Sequence, residues 1–555
     1  MSRVVGPVRL LASVGLPGFS ADRANAAARG ALTRWAVPSS RVGLFMANSR
    51  GRSVVLALGF LGATALVPAA ASGQANVDFK AYRLEAGNPP GKDQTRMNDM
   101  KAGKVRVKGP DEAANRKVLQ DFAKNRVYRV TYETYYTLPD SGELKPRTGE
   151  QSLETLVAEL NSLLLVPTPD LDLTKMTPDQ TEYVLEFGAA LDQAIAAVFA
   201  KNPPLIVRVN AARLLAVAAK SGAPAHGKTI TAMLANTYFK DKAGKPTETP
   251  PEVLYYALRA AENLLAAYDP TVLIGQFSTR HSLPDADLVV LVKILEEMIV
   301  KGPPVADKAV VPAVDNTGKP IALPGAVADP KEADSKDVAP KDVAPKPAAA
   351  KGLTPEQAAV VRYYRRAAIR ALAKVRFDTI GGKGGPEARP AYTLAKVAVS
   401  DATLSLPATP ADAAEAVIGL AGMAPGTAVT NLNVDAWSAA MAAGVFAYVQ
   451  PRMVAVDDRT LTWKVTSSRL NVAFTGLKRA TVTSPRLRPI ARPLAELCDI
   501  VLADILAPLE KENQVGADRP TIERLTEWLR NNPPKDPGRS LYSDSPNYTL
   551  NYRAN

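Results

Sequence analysis

The chain has 555 residues and a formal net charge of +13, but residues 1–75 carry eight arginines and a single acid, so only +6 is left for the other 480. That balance gives no argument for nucleic-acid binding. Cys498 is the only cysteine, and His226 and His281 are the only histidines, which excludes an intramolecular disulfide and a metal site made of histidine and cysteine.

Residues 46–75 have the organisation of a secretory signal peptide. The short basic segment Met46–Arg52 precedes the uncharged residues 53–71, and Gly73-Gln74-Ala75 has the small residues of a cleavage site. We expect cleavage after Ala75 or a few residues earlier, and hence a periplasmic or secreted protein that meets the membrane only through its export signal. The alternative is an uncleaved membrane anchor, which the glycines and the proline of the apolar stretch disfavour.

Residues 1–45 are rich in arginine, alanine and serine and loosely resemble an organelle transit peptide. A signal peptide that begins at Met46 is complete without them. We therefore interpret them as a non-native extension that results from a start codon placed too early. Residues 1–75 are left out of the predicted fold.

The residues after the signal peptide alternate between helical periodicity and breaks rich in proline and glycine. Residues 76–110 are polar and are predicted to be an irregular lead-in. Apolar residues at three- and four-residue spacing then predict helices over 111–124, 152–166, 177–200, 205–222, 229–239, 249–269 and 285–300. Residues 127–137 have strand propensity but also keep a helical spacing, so both structures stay open there.

A linker and a second helical half follow. Residues 301–352 contain nine prolines and a tandem KDVAP repeat, a composition that predicts a disordered linker rich in proline, alanine and lysine. Residues 461–474 have strand propensity, but the all-α context favours a helix, and residues 531–555 are predicted to be a disordered tail. Further helices are predicted over 354–377, 410–420, 434–449, 494–506 and 520–529.

Pairs of small residues followed by leucines recur along the chain. Val207-Arg208, Ala211-Ala212 and Leu214-Leu215 lie in one predicted helix, and the small-pair-then-leucine part returns at 260–265 and 367–372. This pattern resembles the second helix of HEAT-like (armadillo/HEAT-type) repeats. The resemblance implies an α-solenoid, in which stacked helix pairs bury a continuous core. An ordinary helical bundle is the alternative.

The predicted fold is therefore all-α, with α-solenoid or helical-repeat halves joined by a disordered linker. The predicted organisation is an extension (1–45), a signal peptide (46–75), a lead-in (76–110), a helical repeat domain (111–300), the linker (301–352), a second helical domain (353–530) and a tail (531–555).

One segment matches the G-x-x-x-x-G-K-[ST] pattern of phosphate-binding loops through Gly222, Gly227, Lys228 and Thr229. Such a loop follows a strand and precedes a helix, whereas the residues before Gly222 are rich in alanine and have helical spacing. We therefore disfavour this nucleotide site. The preferred interpretation is a loop between helices, in which Gly222 ends one helix and Gly227 lies in the loop.

Four basic residues, Arg362, Arg366, Arg370 and Lys374, recur every four positions and share one face of a predicted helix. Like charges at this spacing repel one another, so the stripe needs acidic partners, an anionic ligand or full solvation. We favour a solvated face and keep binding of an anionic polymer as the functional alternative.

The remaining reactive residues give no coherent catalytic set. His226 and His281 fall in predicted loops with no nucleophile motif beside them, and Cys498 lies on an apolar helix, where a buried, inert thiol is expected. Asp499 and Asp504 are five residues apart and do not share a helix face. The sequence assigns no catalytic residue, no cofactor and no metal.

These observations favour an exported, non-enzymatic helical-repeat scaffold of the cell envelope that binds a partner protein. Two alternatives stay open. One is a nucleotide-binding enzyme that uses residues 222–229, and the other is an electrostatic binder of an anionic envelope polymer through the basic stripe.

Overall fold

Threonine and proline determine where several helices begin. In the computed structural model of the chain, Thr177, Thr354 and Thr409 each cap a helix whose first residue is proline, and each threonine hydroxyl accepts a hydrogen bond from the N–H three residues on. The side chain at that third position accepts in return from the threonine N–H, and these residues are Gln180, Gln357 and Asp412. Each pair completes a capping box.

The structure describes residues 78–137, 145–149, 152–165, 176–241, 243–267, 283, 285–303, 354–381, 387–423, 432–450, 461–506, 519–533, 540–542 and 546–551. The α-helices of this part of the chain are α1 (Phe79–Tyr82), α2 (Gly91–Lys101), α3 (Glu112–Val127), α4 (Leu153–Leu164), α5 (Pro178–Ala200), α6 (Leu205–Ala218), α7 (Pro224–Leu234), α8 (Pro251–Ala267), α9 (Asp285–Lys301), α10 (Pro355–Leu372), α11 (Pro390–Ala398), α12 (Pro410–Gly422), α13 (Val434–Val449), α14 (Leu461–Thr483), α15 (Ala491–Asp499) and α16 (Arg519–Asn531).

Shorter elements connect these helices. A π-helical segment, Ile500–Leu506, continues α15. Two short strands, β1 (Tyr136–Thr137) and β2 (Lys145–Pro146), pair antiparallel with Tyr136 opposite Pro146. The 3₁₀ turns are Tyr128–Thr131, Glu133–Tyr135, Ala219–Ser221, Pro485–Ile490 and Pro546–Tyr548.

The helices from α3 to α14 alternate between two layers. α4, α6, α8, α10, α12 and α14 contact one another in that order and form one layer, here called the even layer. α3, α5, α7, α9, α11 and α13 do the same in the odd layer. Consecutive helices such as α5 and α6, α7 and α8, or α9 and α10 pack across the layers. This arrangement is that of an α-solenoid, in which each helix pair contacts mainly its neighbours.

The stack continues from one side of the predicted linker to the other. α9 ends at Lys301 and α10 begins at Pro355, yet these two helices pack against each other, and α8 also contacts α10. All described residues belong to one compact unit, so the two predicted helical halves form one stack. Residues 304–352 of the linker, and the whole predicted signal peptide and extension, lie outside the described residues.

Several predicted elements are confirmed. The helix predicted over 205–222 is α6 followed by a 3₁₀ turn, and Gly222 ends it with a φ of +73°, a left-handed conformation that glycine adopts without steric cost. Residues 461–474 are helical within α14. Residues 127–137, which were left open, contain the end of α3, two 3₁₀ turns and β1.

Four segments differ from the prediction. The helix predicted over 229–239 is α7, which begins earlier, at Pro224, and ends at Leu234. The lead-in contains α1 and α2, and Met97 and Met100 of α2 are fully buried. Helix α11 was not predicted at all. Part of the tail packs on the core, where Leu541 and Tyr542 are fully buried and the Tyr542 hydroxyl donates a hydrogen bond of 2.7 Å to the Asp378 carbonyl. These segments are short or polar, so tertiary packing rather than local periodicity determines their structure.

One helix of the described chain, α5, is long and apolar enough to cross a membrane by length and composition. Its most apolar window is 61% buried inside the protein, and it packs against α3, α6 and α7. These contacts make α5 a core helix of the stack.

Two helical glycines allow a matched test of how closely the even layer is packed. A Cβ atom on Gly419 of α12 would lie 2.8 Å from the Cβ and 2.9 Å from the Cα of Ala373, whereas a Cβ on Gly476 of α14 would meet no atom within 4 Å. We expect Gly419→Ala to lower the free energy of unfolding by about 1–3 kcal/mol because the backbone must move. Gly476→Ala should raise it by about 0.4–1 kcal/mol through the entropy of the unfolded chain. Urea denaturation of both variants measures the difference, and equal effects of the two substitutions would contradict the packing described.

Candidate binding groove

Polar side chains join each even-layer helix to the next. Arg213 of α6 forms an ion pair with Glu154 of α4 at 3.2 Å. The Asn263 amide of α8 donates a hydrogen bond of 2.6 Å to the Ala216 carbonyl of α6. The Tyr255 ring of α8 stacks on the Tyr363 ring of α10, with 5.3 Å between the ring centroids. Links of this kind fix the register of one helix on the next, since the donor and acceptor come from different repeats.

The strongest link joins α10 to α12 through a buried ion pair. Arg365 is fully buried and donates hydrogen bonds to the Leu406 carbonyl (2.7 Å) and to Asp412 Oδ2 (2.9 Å). Arg366 Nε donates to Asp412 Oδ1 at 2.9 Å. Burial opposes ionisation of Asp412, but Arg366 and Arg365 outweigh it and hold the pKa of this carboxyl below its usual range.

A second carboxylate continues the link to α14. Glu415 is nearly fully buried, and its Oε1 accepts hydrogen bonds from Arg370 of α10 (2.8 Å) and from Arg469 of α14. Glu415 therefore ties three successive even-layer helices together. Asp412 and Glu415 are three residues apart and share one face of α12, and Arg366 and Arg370 are four residues apart and share one face of α10. The two faces therefore meet so that Asp412 pairs with Arg366 and Glu415 with Arg370.

The basic stripe is thus only partly the solvated face that the sequence favoured. Arg366 and Arg370 are engaged by the α12 carboxylates, and Arg362 is half-buried with an Nε atom that has no hydrogen-bond partner among the described residues. The solvated-face interpretation was wrong for Arg366 and Arg370, because their acidic partners lie more than forty residues further along the chain. Lys374, the last member of the stripe, lines a groove.

This groove runs between the C-terminal ends of α10 and α12 and one face of α14, and its volume is about 540 Å³. Most of its lining is apolar, with Ile418, Met423, Val472, Leu477 and Leu487 as the larger side chains. Small residues complete the wall, and they are Ala373, Ala421, Gly422, Ser468, Ala473, Gly476 and Ala480. Lys374, Arg376 and Arg469 are its charged residues.

The three cations of the groove differ in how they are neutralised. Arg469 is paired with Glu415, and Arg376 donates a hydrogen bond to the Gly422 carbonyl at 3.1 Å. The Lys374 side chain is half-buried, and its ammonium group forms no ion pair or hydrogen bond within the described chain. Burial lowers the pKa of Lys374; Glu262 of α8 opposes this, whereas Arg469 and Arg376 lower the pKa further. The groove therefore carries positive charge that the described residues do not compensate.

The segment that matches a phosphate-binding loop forms a corner between two helices. α6 and a 3₁₀ turn precede Gly222, and α7 begins at Pro224, so Gly227, Lys228 and Thr229 are helical. The prediction of a loop at Gly227 was wrong, because Pro224 starts the helix before it. A Cβ atom on Gly227 would lie 2.5 Å from the Leu283 side chain, so this glycine allows close packing. Lys228 is exposed.

A buried carboxylate links this corner to α5 in the odd layer. Asp192 Oδ1 lies 3.0 Å from His226 Nδ1, and Asp192 Oδ2 accepts a hydrogen bond of 3.1 Å from the Thr229 hydroxyl. His226 lies within α7 and is fully buried, so the prediction that it lies in a loop was wrong. Thr229 uses its hydroxyl in this link between α5 and α7. His281 lies outside the described residues.

Cys498 and its acidic neighbours do not form a reactive site. The Cys498 thiol is fully buried, and burial, with a smaller contribution from Asp499, raises its pKa to about 12. Asp499 forms an ion pair with Lys478 on the surface. Asp504 lies in the π-helical segment that follows.

Sequence reasoning missed the residues that organise this region, namely Asp192, Asp412, Glu415 and Arg469. For Asp412 a signal was present, since Thr409-Pro-Ala-Asp412 is a capping-box pattern. In the described part of the chain, no group of three or more histidine, cysteine or acidic residues is arranged to hold a metal ion. Comparison with known proteins gives no significant match to any protein-family model, curated protein or solved structure.

The buried ion pair of Asp412 gives a stability prediction. We expect Asp412→Asn to lower the free energy of unfolding by about 3–5 kcal/mol at neutral pH, because the fully buried Arg365 loses its counter-charge. Chemical denaturation measures this loss. The matched control is Asp499→Asn, which breaks an exposed pair and should change stability by no more than about 0.5 kcal/mol.

The same pair predicts how stability depends on pH. Because the pKa of Asp412 is lowered in the folded state, its contribution is complete above the unfolded value of about 3.9 and is lost as the pH falls through the folded value. The difference between the wild type and Asp412→Asn should therefore narrow in acid. A difference that is the same at pH 7 and at pH 3 would contradict this assignment.

Proposed function

We propose that this protein is an exported, non-enzymatic scaffold of the cell envelope that binds a partner protein. The signal-peptide pattern of residues 46–75 supports export. The α-solenoid supports a scaffold role, because stacked helix pairs present long surfaces on which partners bind. The resemblance of its repeats to HEAT-like repeats stays a prediction from the sequence.

The observation that carries this proposal is the structural use of the reactive side chains. The Asp192–His226–Thr229 cluster joins α5 to α7, and Arg366 and Arg370 join α10 to α12. These particular side chains, which could otherwise transfer protons or bind phosphate, thus have partners within the stack. This arrangement favours a binding protein over the nucleotide-binding alternative, and it disfavours a polymer site centred on Arg366 and Arg370.

Helix α14 is the surface that we assign to the partner protein. Val465, Val472 and Val482 of this helix are 50%, 73% and 82% exposed, which are high values for large apolar side chains. Exposed apolar residues that cluster on one element are typical of protein-binding surfaces.

Export gives the first test. Fractionation of native cells followed by N-terminal sequencing should find the protein outside the cytoplasm, with its first residue near Asn76. A cytoplasmic protein that begins at Met1 or Met46 would contradict export. Saturable Mg²⁺-ATP binding that Lys228→Ala abolishes would overturn the scaffold proposal in favour of the nucleotide-binding enzyme, with Lys240→Ala as the control for a general loss of charge.

Partner binding gives the second test. Chemical crosslinking of intact envelopes should produce a discrete heavier complex of the wild-type protein. Val482→Asp should strongly reduce the yield of this complex, because an apolar interface would remove water from the new carboxylate without compensating its charge. Val290→Asp is the control, since Val290 lies on α9 and is 46% exposed, and it should leave the yield unchanged. Equal yields for both variants would place the partner elsewhere and contradict the assignment of α14.

A further inference from the structure

We propose that the groove between α10, α12 and α14 binds a single-chain anionic amphiphile, with its hydrocarbon chain along the apolar wall and its anionic headgroup at Lys374. The inference goes beyond the scaffold function and does not depend on a partner protein.

The shape and chemistry of the lining fit a hydrocarbon chain. The volume of about 540 Å³ lies within the range of about 300–1,000 Å³ that is usual for small-molecule sites, and such sites are mainly apolar with few polar groups. Ile418 of α12 and Val472 of α14 supply accessible apolar surface, the buried side chains of Met423 and Leu477 lie behind it, and the small residues of α14 keep the wall open. Val472 at the rim is 73% exposed, so the groove is reached from solvent.

The charge distribution fits an anionic headgroup. Four arginines, Arg365, Arg366, Arg370 and Arg469, surround the two α12 carboxylates Asp412 and Glu415. Of these residues Arg469 lines the groove, where Lys374 and Arg376 join it, and no acidic residue of the described chain lines the groove. The local excess of cations raises the electrostatic potential there, and an anion placed beside them would reduce their mutual repulsion.

Lys374 is the residue at which the headgroup is expected. It lines the groove and is half-buried, and its ammonium group has no ion pair or hydrogen bond with any described residue, whereas the side chains of Arg469 and Arg376 each have a partner. A partly desolvated ammonium gains more from an added carboxylate or phosphate than an exposed one, because its attraction to the anion is less screened. Burial is the largest cause of the lowered pKa of Lys374, as expected for an ammonium that is partly removed from water.

The experiment is calorimetric titration of the full chain with dodecanoate below its micelle-forming concentration. The wild type should bind it saturably, and Lys374→Met, which keeps an unbranched side chain of similar length, should weaken binding by about ten- to a hundredfold, as expected for the loss of a hydrogen bond to a charged group. Arg479→Met is the matched control, since Arg479 is an exposed cation on α14 outside the groove, and it should bind like the wild type. Val472→Asp, at an exposed position where folding is not at risk, should weaken binding by placing a negative charge at the rim.

Three further ligands separate the parts of the proposal. Butanoate, which has the headgroup without the chain, and dodecyltrimethylammonium, which has the chain with a cationic headgroup, should both bind much more weakly than dodecanoate. The proposal would be overturned if butanoate or dodecyltrimethylammonium bound with the same affinity as dodecanoate. It would also be overturned if Lys374→Met bound dodecanoate as tightly as the wild type, or if the wild type showed no saturable binding of dodecanoate. If the protein stays bound to phosphatidylglycerol vesicles when dodecanoate is added, the groove proposal is overturned in favour of binding to a membrane surface. If an acidic amphipathic peptide stays bound to the protein when dodecanoate is added, the proposal is overturned in favour of a partner helix.

Discussion

The stack of helices depends on the charge of Asp412. Its carboxylate closes the capping box that starts α12, and it also accepts hydrogen bonds from Arg365 and Arg366 of α10. One side chain therefore determines both where a helix begins and how that helix sits on its neighbour. Arg365 is fully buried, so the cation would be left without compensation if this carboxylate were neutral. The same carboxylate oxygen, Asp412 Oδ2, thus accepts from the Thr409 N–H in the capping box and from Arg365 in the contact between α12 and α10.

The odd layer uses the same device at a different place. Asp192 of α5 holds both His226 and Thr229 of α7, as Asp412 and Glu415 of α12 hold arginines of α10. Buried acids thus set the register between alternate helices in both layers. In a solenoid, where each repeat contacts mainly its neighbours, such links supply specificity that an alanine-rich apolar core lacks, since small side chains pack in several registers with similar energy. The groove adjoins this network through Arg469, and its charged lining residues, Lys374, Arg376 and Arg469, are all cations.

Much of the fold could be predicted from the sequence, while the site could not. Periodicity and the glycine at position 222 predicted α6 and its end, and the helices predicted over 177–200 and 354–377 begin at the residues that cap α5 and α10, because these signals act within a few residues. The basic stripe was predicted correctly as one face of a helix but not as a buried contact, because Asp412 lies 46 residues after Arg366. His226 was placed in a loop because it lies between the helices predicted over 205–222 and 229–239, whereas α7 begins at Pro224, a residue that the first turn of a helix tolerates. Helix α11 has nine residues, too few for a clear periodic pattern.

The position of the linker within the stack has a consequence for how this chain can vary. α9 and α10 pack on each other, so the two ends of the intervening segment are held together by the core. The entropic cost of closing a loop grows slowly with its length, by only about 0.6 kcal/mol for each doubling. By this scaling, a change in the number of residues between α9 and α10, where the tandem KDVAP units lie in the sequence, should change stability little. A cut in this segment would likewise leave two fragments that remain associated through α8, α9 and α10, so a nicked protein keeps its stack and the surfaces on it.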